Sequence, residues 1–235
     1  MLTVSVIIPA YNEEKTVGRV LSVLVSTPGI DEIICVNDGS TDRTGEIVRS
    51  FLKVRLISFR KNKGKSDAIG EGIRKASGDI VVFLDADLEG LNSHHVAKLT
   101  RPLIERKADA VIGYCDSFLD PLLLPISGQR AYVRKDLLPH VRKLENKGYG
   151  LELFLNSLYT ERRVHIVKLT GVGHITKYRK QSYPDSIKLT LSEWHDLAKE
   201  LASQDNGGKS IFSSYLSRLY QKSSSWFVTY KNLFD

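Results

Sequence analysis

Sulfur is scarce in this chain of 235 residues, which holds two cysteines and one methionine. Two thiols are too few for a disulfide framework or a zinc site, and Cys35 falls in an apolar, strand-like run where a thiol packs as a small hydrophobe. Long apolar runs are missing too: no window approaches the roughly eighteen residues needed to span a bilayer. The opening "MLTVSVIIPA" lacks a basic n-region, so it reads as a first strand and not as a signal peptide. There are no internal repeats and no long low-complexity tract. These absences lead us to expect a soluble, cytoplasmic protein, with peripheral contact at the inner membrane face as the alternative. Acid is also in deficit: 34 Lys and Arg stand against 27 Asp and Glu, a formal net charge of +7. That balance suits an anionic partner, whether nucleic acid, nucleotide phosphates or an anionic membrane surface. No basic–aromatic recognition motif appears, which argues against nucleic acid. The hydrophobic content of 42% is ample for a packed core and excludes a disordered chain.

Apolar runs alternate with amphipathic stretches along the first half. "VSVII" (4–8), "EIICV" (32–36), "VRLISF" (54–59), "DIVVFL" (79–84) and "DAVIGY" (109–114) read as strands. Helical spacing follows each of the first four, with Asn12 as a candidate cap for the first helix and Glu13 and Glu14 suited to its dipole. Short connections and strict alternation predict an α/β fold, a mostly parallel, doubly wound sheet flanked by helices. After residue 114 the pattern changes. "DPLLLPISGQRAYV" is Pro-rich and loop-like, and helices are expected near 134–144 and 148–161. Strand-like alternation returns in "RRVHIVKLTGVGHITK". From about 186 the chain reads as helical, with a break at 204–210 and a helix over 211–222. The expected organisation is therefore 1–114 as a ligand-binding half, 115–185 as the second half of the same domain, and 186–235 as a helical extension.

In open α/β sheets, ligands bind beyond the carboxyl ends of the strands. "PAYNEE" (9–14), "NDGSTD" (37–42), "RKNKGK" (60–65) and "DADLEG" (85–90) fall at four consecutive strand ends. They gather acids, amides, basic side chains and glycines around one crevice, a mixture suited to a nucleotide diphosphate and a divalent metal. Asp85 and Asp87 are two apart in an extended segment, so both can face one cavity. Two such carboxylates raise one another's pKa unless a cation lies beside them. Mg2+ and Mn2+ take hard oxygen ligands and are commonly shared between carboxylates and phosphate.

The set "SVIIPAYNEE", "VNDGSTD", "NKGKSDAI" and "FLDADL", in this order and spacing, resembles family 2 glycosyltransferases of GT-A fold. The resemblance is strong over residues 3–114 and weaker through "SGQRAYVRKDLL" and "GYGLE" to about 180. It implies transfer of a hexose from a nucleotide sugar, UDP-linked, with Mg2+ or Mn2+ as cofactor. Pro9, Ala10, Tyr11 and Glu13 would line the base and ribose pocket, and Asp38 would hydrogen-bond the base. Lys65 would reach donor phosphate or sugar, Asp85 the ribose or donor sugar, and Asp87 the metal. Ser127, Gly128 and Gln129 would form the loop near donor sugar and acceptor. Glu152 would act as the base on the acceptor hydroxyl, and His174 would supply a further metal ligand. The "ED" pair usual in inverting members is absent as such, with Glu152 alone in its place, so the stereochemical outcome stays open. The second half looks similar to glucosyl-3-phosphoglycerate synthases and polyprenyl-phosphate glycosyltransferases, which implies a small phosphorylated or lipid-phosphate acceptor.

Each residue also has a plainer reading. Asp38 could cap the helix after "NDGST". Lys61, Lys63 and Lys65 could be a solvated basic loop. Glu152 could be a first-turn helix acid, and His174 a structural histidine. Adjacent His94 and His95 diverge on a helix and receive no site. The Trp226–Phe227 tail reads as a packing or homodimer element before a membrane anchor. Two rival functions remain: a nucleotidyltransferase, whose Gly-rich, Arg-containing signature "PAYNEE" lacks, and a non-catalytic nucleotide-sugar binding protein, in which loss of Asp87 or Glu152 would be expected.

Overall fold

Runs of β-branched residues, buried on both faces, build the centre of the molecule, which the computed structural model describes over residues 2–115, 127–145 and 150–174. β1 (Val4–Ala10), β2 (Glu32–Asn37), β3 (Val54–Ser58) and β4 (Ile80–Phe83) are the expected parallel strands. β6 (Ala110–Cys115), β7 (Gln129–Val133) and β8 (Val164–Leu169) complete a seven-stranded sheet in the order β3-β2-β1-β4-β7-β6-β8. Six strands run one way, and only β7 is antiparallel to its neighbours β4 and β6. The mostly parallel α/β sheet read from the sequence is the fold observed.

Alternation along β1 sorts the core into two layers. Val6 and Ile8 face α1 (Val17–Val25) and α4 (Ser93–Ile104), packing with Val17, Leu21, Leu24, Leu99 and Leu103. Ile7 faces the other way, toward Ala68, Ile69 and Ile73 of α3 (Lys65–Lys75) and Leu151 and Leu155 of α6 (Gly150–Leu158). Each fully buried Ile or Leu in these layers contributes about 1.5–3 kcal/mol. The apolar spacing of α1, at positions 17, 20, 21 and 24, explains why one stripe of that helix is buried. A second, two-stranded ladder joins β5 (Leu88–Glu89) to β9 (Gly173–His174). No helix among the described residues is long and apolar enough to cross a membrane.

Three local expectations change. Residues 129–133, read as loop, form β7 in the middle of the sheet, because Gln129 and Arg130 find hydrogen-bond partners that let polar side chains be buried. Asn12 does not cap α1, which starts at Val17 behind Thr16; Asn12 takes a left-handed backbone, φ 55°, and its side chain accepts from Thr41 N. The helix expected over 134–144 is α5 (Arg134–Leu137), followed by a 3-10 helix (Leu138–Leu144) with Pro139 in its first turn. α2 (Thr44–Arg49) closes the turn after β2 as expected. The helical reading of 186–235 and the Trp226–Phe227 tail lie outside the described residues.

Candidate active site

The loops after β1, β2 and β3 are tied into one rim. Asp38 N donates to Ala10 O at 2.8 Å, and Phe59 N to Asn37 O at 2.9 Å. Asn12 N donates to Ser40 Oγ, and Glu13 N to Thr44 Oγ1. Pro9 and Ala10 end β1 here, Tyr11 is exposed at the rim, and Glu13 accepts from Thr16 Oγ1 at 2.6 Å. Asp38 is buried, and its carboxylate accepts from Lys63 N and Gly64 N, each at 2.8 Å, and from Asn62 Nδ2 at 3.1 Å. It therefore braces the "NKG" loop and does not cap α2; Asp42, whose Oδ1 accepts from Thr44 N, turns toward that helix. A carboxylate offers about four lone-pair positions, so Asp38 retains room for one more donor.

Behind this rim lies an ion-paired cluster drawn from both halves of the chain. Lys65, at the start of α3, places Nζ 2.7 Å from Asp85 Oδ1 and 3.4 Å from Glu152 Oε1. Gln129 Nε2 donates to the other Asp85 oxygen at 2.7 Å. Burial alone would push the Asp85 pKa up, but Lys65, then His174 and the Gln129 hydrogen bond, hold it at about 2. Burial would likewise lower the Lys65 pKa, and the charges of Asp85 and Glu152 raise it well above its ordinary value. Gly128 crosses directly over this pair: a Cβ there would lie 2.5 Å from Asp85 Oδ2 and 2.7 Å from Lys65 Nζ. Ser127 Oγ contacts the Gly113 carbonyl of β6 and lies 3.0 Å from Gln129 Oε1.

Next to the cluster, Asp85, Asp87 and His174 each offer one potential ligand atom, all within 4.8 Å of one another. His174 reaches the site because β9 pairs with β5, placing it opposite Leu88. Its Nδ1 lies 2.9 Å from Asp87 Oδ1. Burial would lower the imidazole pKa, but the hydrogen bonds to Asp87 and Cys115 and the two carboxylate charges lift it to about 11. Two carboxylates and an imidazole are donors that Mg2+ and Mn2+ accept. Adjacent ligands on an octahedral ion with bonds of about 2.1 Å stand about 3 Å apart, so the Asp87–His174 spacing fits a shared ion. Asp85 has both oxygens engaged, by Lys65 and Gln129, so a metal would have to share it with them. Binding would displace the imidazole proton.

The structure thus brings Lys65, Asp85, Asp87, Gly128, Gln129, Glu152 and His174 together, and sets Pro9–Glu13 and Asp38 on the adjoining rim. Sequence reasoning missed Arg130. This fully buried guanidinium donates to Ser127 O through Nε, and through Nη1 to Tyr132 Oη (3.1 Å) and Asn156 Oδ1 (2.6 Å). It links the Ser127–Gln129 loop to α6, the helix that carries Glu152. An arginine inside an apolar-flanked "QRAYV" was the available signal, since burying such a charge demands partners.

The chain belongs to glycosyl transferase family 2, whose sequence profile matches residues 5–183. A dodecaprenyl-phosphate galacturonate synthase of Rhizobium johnstonii is 29% identical over 182 residues, covering 74% of this chain and 52% of that protein. YaiP of Escherichia coli, an uncharacterized glycosyltransferase, is 31% identical over 179 residues, covering 74% of this chain and 44% of its own length. The chain therefore spans about half the length of these relatives. Among solved structures, glucosyl-3-phosphoglycerate synthase of Mycobacterium tuberculosis with Mn2+ and UDP-glucose aligns with a TM-score of 0.67 and 26% identity, covering 88% of this chain and 81% of that one. The same synthase with Mg2+ and UDP aligns with a TM-score of 0.67 and 24% identity, covering 88% and 82%.

Proposed function

We propose that this domain is a metal-dependent glycosyltransferase that moves a hexose from a UDP-linked sugar to an anionic acceptor. The observation that carries the reading is the meeting of the Asp85–Asp87–His174 group with the Lys65–Glu152 pair at the strand ends of a family 2 fold. Tyr11 would offer its ring to the base, with Pro9, Ala10 and Glu13 lining the ribose side. Asp38 would use its remaining lone pair for the base imino N–H. Lys65 would exchange a carboxylate for a phosphate oxygen of the donor, and Asp85 would face the ribose or sugar. A divalent ion held by Asp87 and His174 would act as a Lewis acid, offsetting charge that develops on the departing nucleoside diphosphate.

Glu152 would take the acceptor proton, a role worth roughly 10²–10⁴ in rate. Its carboxylate is buried beside Lys65, so it is held in one place and shielded from water. Ser127, Gly128 and Gln129 would then orient donor sugar and acceptor above it.

The net charge of +7 suits a phosphorylated acceptor. Relatives on both sides support this class: one is named for a lipid phosphate, the other for phosphoglycerate. The decisive experiment incubates labelled UDP-sugars with phosphoglycerate in one arm and polyprenyl-phosphate vesicles in the other, with and without Mn2+. Metal-dependent labelled product in either arm supports the reading. Metal-dependent UDP-sugar binding without product would indicate a non-catalytic binding protein, and release of sugar 1-phosphate, the group left behind when UMP is transferred, a nucleotidyltransferase.

A further inference from the structure

His174 stands beside Asp87 only because the turn between β8 and β9 delivers it there, and the first turn of α4 grips that turn. His95, the third residue of α4, is buried although its neighbour His94 is exposed. Its Nδ1 accepts from Asn92 N at 3.2 Å, and its Nε2 lies 3.0 Å from Thr170 O. A ring nitrogen that accepts an N–H carries no proton, so the proton sits on Nε2 and is donated to the Thr170 carbonyl. The Asn92 side chain caps the same helix, accepting from His94 N and His95 N. One helical turn further on, Lys98 Nζ donates to Lys168 O at 3.0 Å. Before the helix, Gly90 adopts φ +75°, and a Cβ there would lie 2.0 Å from Gly171 O. The segment 90–98 therefore meets the backbone of 168–171 at three points, immediately before β9.

A two-residue ladder is too short to fix its own register. The β5–β9 pairing that sets Leu88 opposite His174 needs an outside brace, and His95 supplies the one that is buried and directed at both ends. We propose that His95 is a positioning residue for the metal centre: by holding Thr170 O against the start of α4, it fixes the β8–β9 turn and so the place of His174. It touches neither substrate nor metal. The inference rests on the reading of His174 as a metal ligand.

The test measures Mn2+ binding to the full chain in the presence of UDP, by the loss of the free-ion paramagnetic resonance signal. Partners that orient metal ligands are worth about 10–100-fold in metal affinity. His174→Ala and His95→Ala should each weaken Mn2+ binding in that range. His95→Gln should restore most of it, because its amide can accept from Asn92 N and donate to Thr170 O. Asn92→Ala removes the side-chain cap alone, and should lower the melting temperature while leaving Mn2+ affinity unchanged. If His95→Ala does not fold, His95→Glu replaces it: glutamate completes the capping box but cannot donate to Thr170 O, so Mn2+ binding must still fall. Wild-type Mn2+ affinity in the folded His95 variant, with affinity lost in His174→Ala, would overturn the positioning role alone. Unchanged affinity in His174→Ala would instead overturn the metal reading beneath it.

Discussion

The ammonium of Lys65 lies 3.4 Å from the carboxylate of Glu152, joining α3 of the first half of the chain to α6 of the second. The same ammonium is 2.7 Å from Asp85, so one cation is shared by the two acids.

Replacing Glu152 by glutamine keeps its size and removes the proton acceptor. We expect turnover at saturating acceptor to fall roughly 10²–10⁴-fold, with UDP affinity unchanged. Steady-state kinetics and calorimetry on the same preparation check both parts. Near wild-type turnover would reduce Glu152 to a helix-terminus acid paired with Lys65.

Gly128→Ala tests the close approach over the ion pair. The new Cβ would fall 2.5 Å from Asp85 Oδ2 and 2.7 Å from Lys65 Nζ. Both atoms end side chains, so they can shift at little cost in stability, but the geometry of the pair that is proposed to receive the donor is then altered. The expected result is a melting temperature close to wild type and a donor KM raised about tenfold, equal to about 1.4 kcal/mol. A large loss of stability with an unchanged donor KM would show that the glycine serves packing alone.

Acid should loosen the opposite end of the sheet. Burial alone would raise the Glu32 pKa, but hydrogen bonds from Ser5 and Ser77 and the charge of Arg55 hold it below its ordinary value. A carboxylate depressed in the fold contributes stability above its unfolded pKa of about 4.3, and loses it as pH falls through the folded value. Glu32→Gln should therefore be less stable than wild type at pH 7, and that difference should shrink as pH drops below about 4.3. Urea unfolding across this range is the measurement; a difference constant with pH would exclude the linkage.

Much of this fold could be read in advance because its physics is local. β1, β2 and β4 are nearly continuous apolar runs buried on both faces; Asp85 and Asp87 do meet at one site, although β4 ends at Phe83 and a turn through Ala86 and Asp87, not strand alternation, brings them there. What stayed hidden depends on partners distant in the chain. β7 was masked by Gln129 and Arg130, polar residues whose burial makes sense only once Asp85, Tyr132 and Asn156 are beside them. Asn12 looked like a helix cap, yet Ser40 and Thr41 of the next loop claim it in a left-handed turn. His94 and His95 do diverge, as adjacent helical residues must. That divergence buries His95 and gives it a contact with Thr170 that no local pattern announces.

Asp87, with His174, is proposed to hold the ion through which the nucleoside diphosphate is bound. UDP titrations by calorimetry, with and without Mn2+, on wild type and Asp87→Ala test it most directly. Mn2+-dependent binding is expected in wild type, with loss of that metal-dependent part in Asp87→Ala at an unchanged melting temperature. Equal Mn2+-dependent UDP affinity in the two proteins would contradict it.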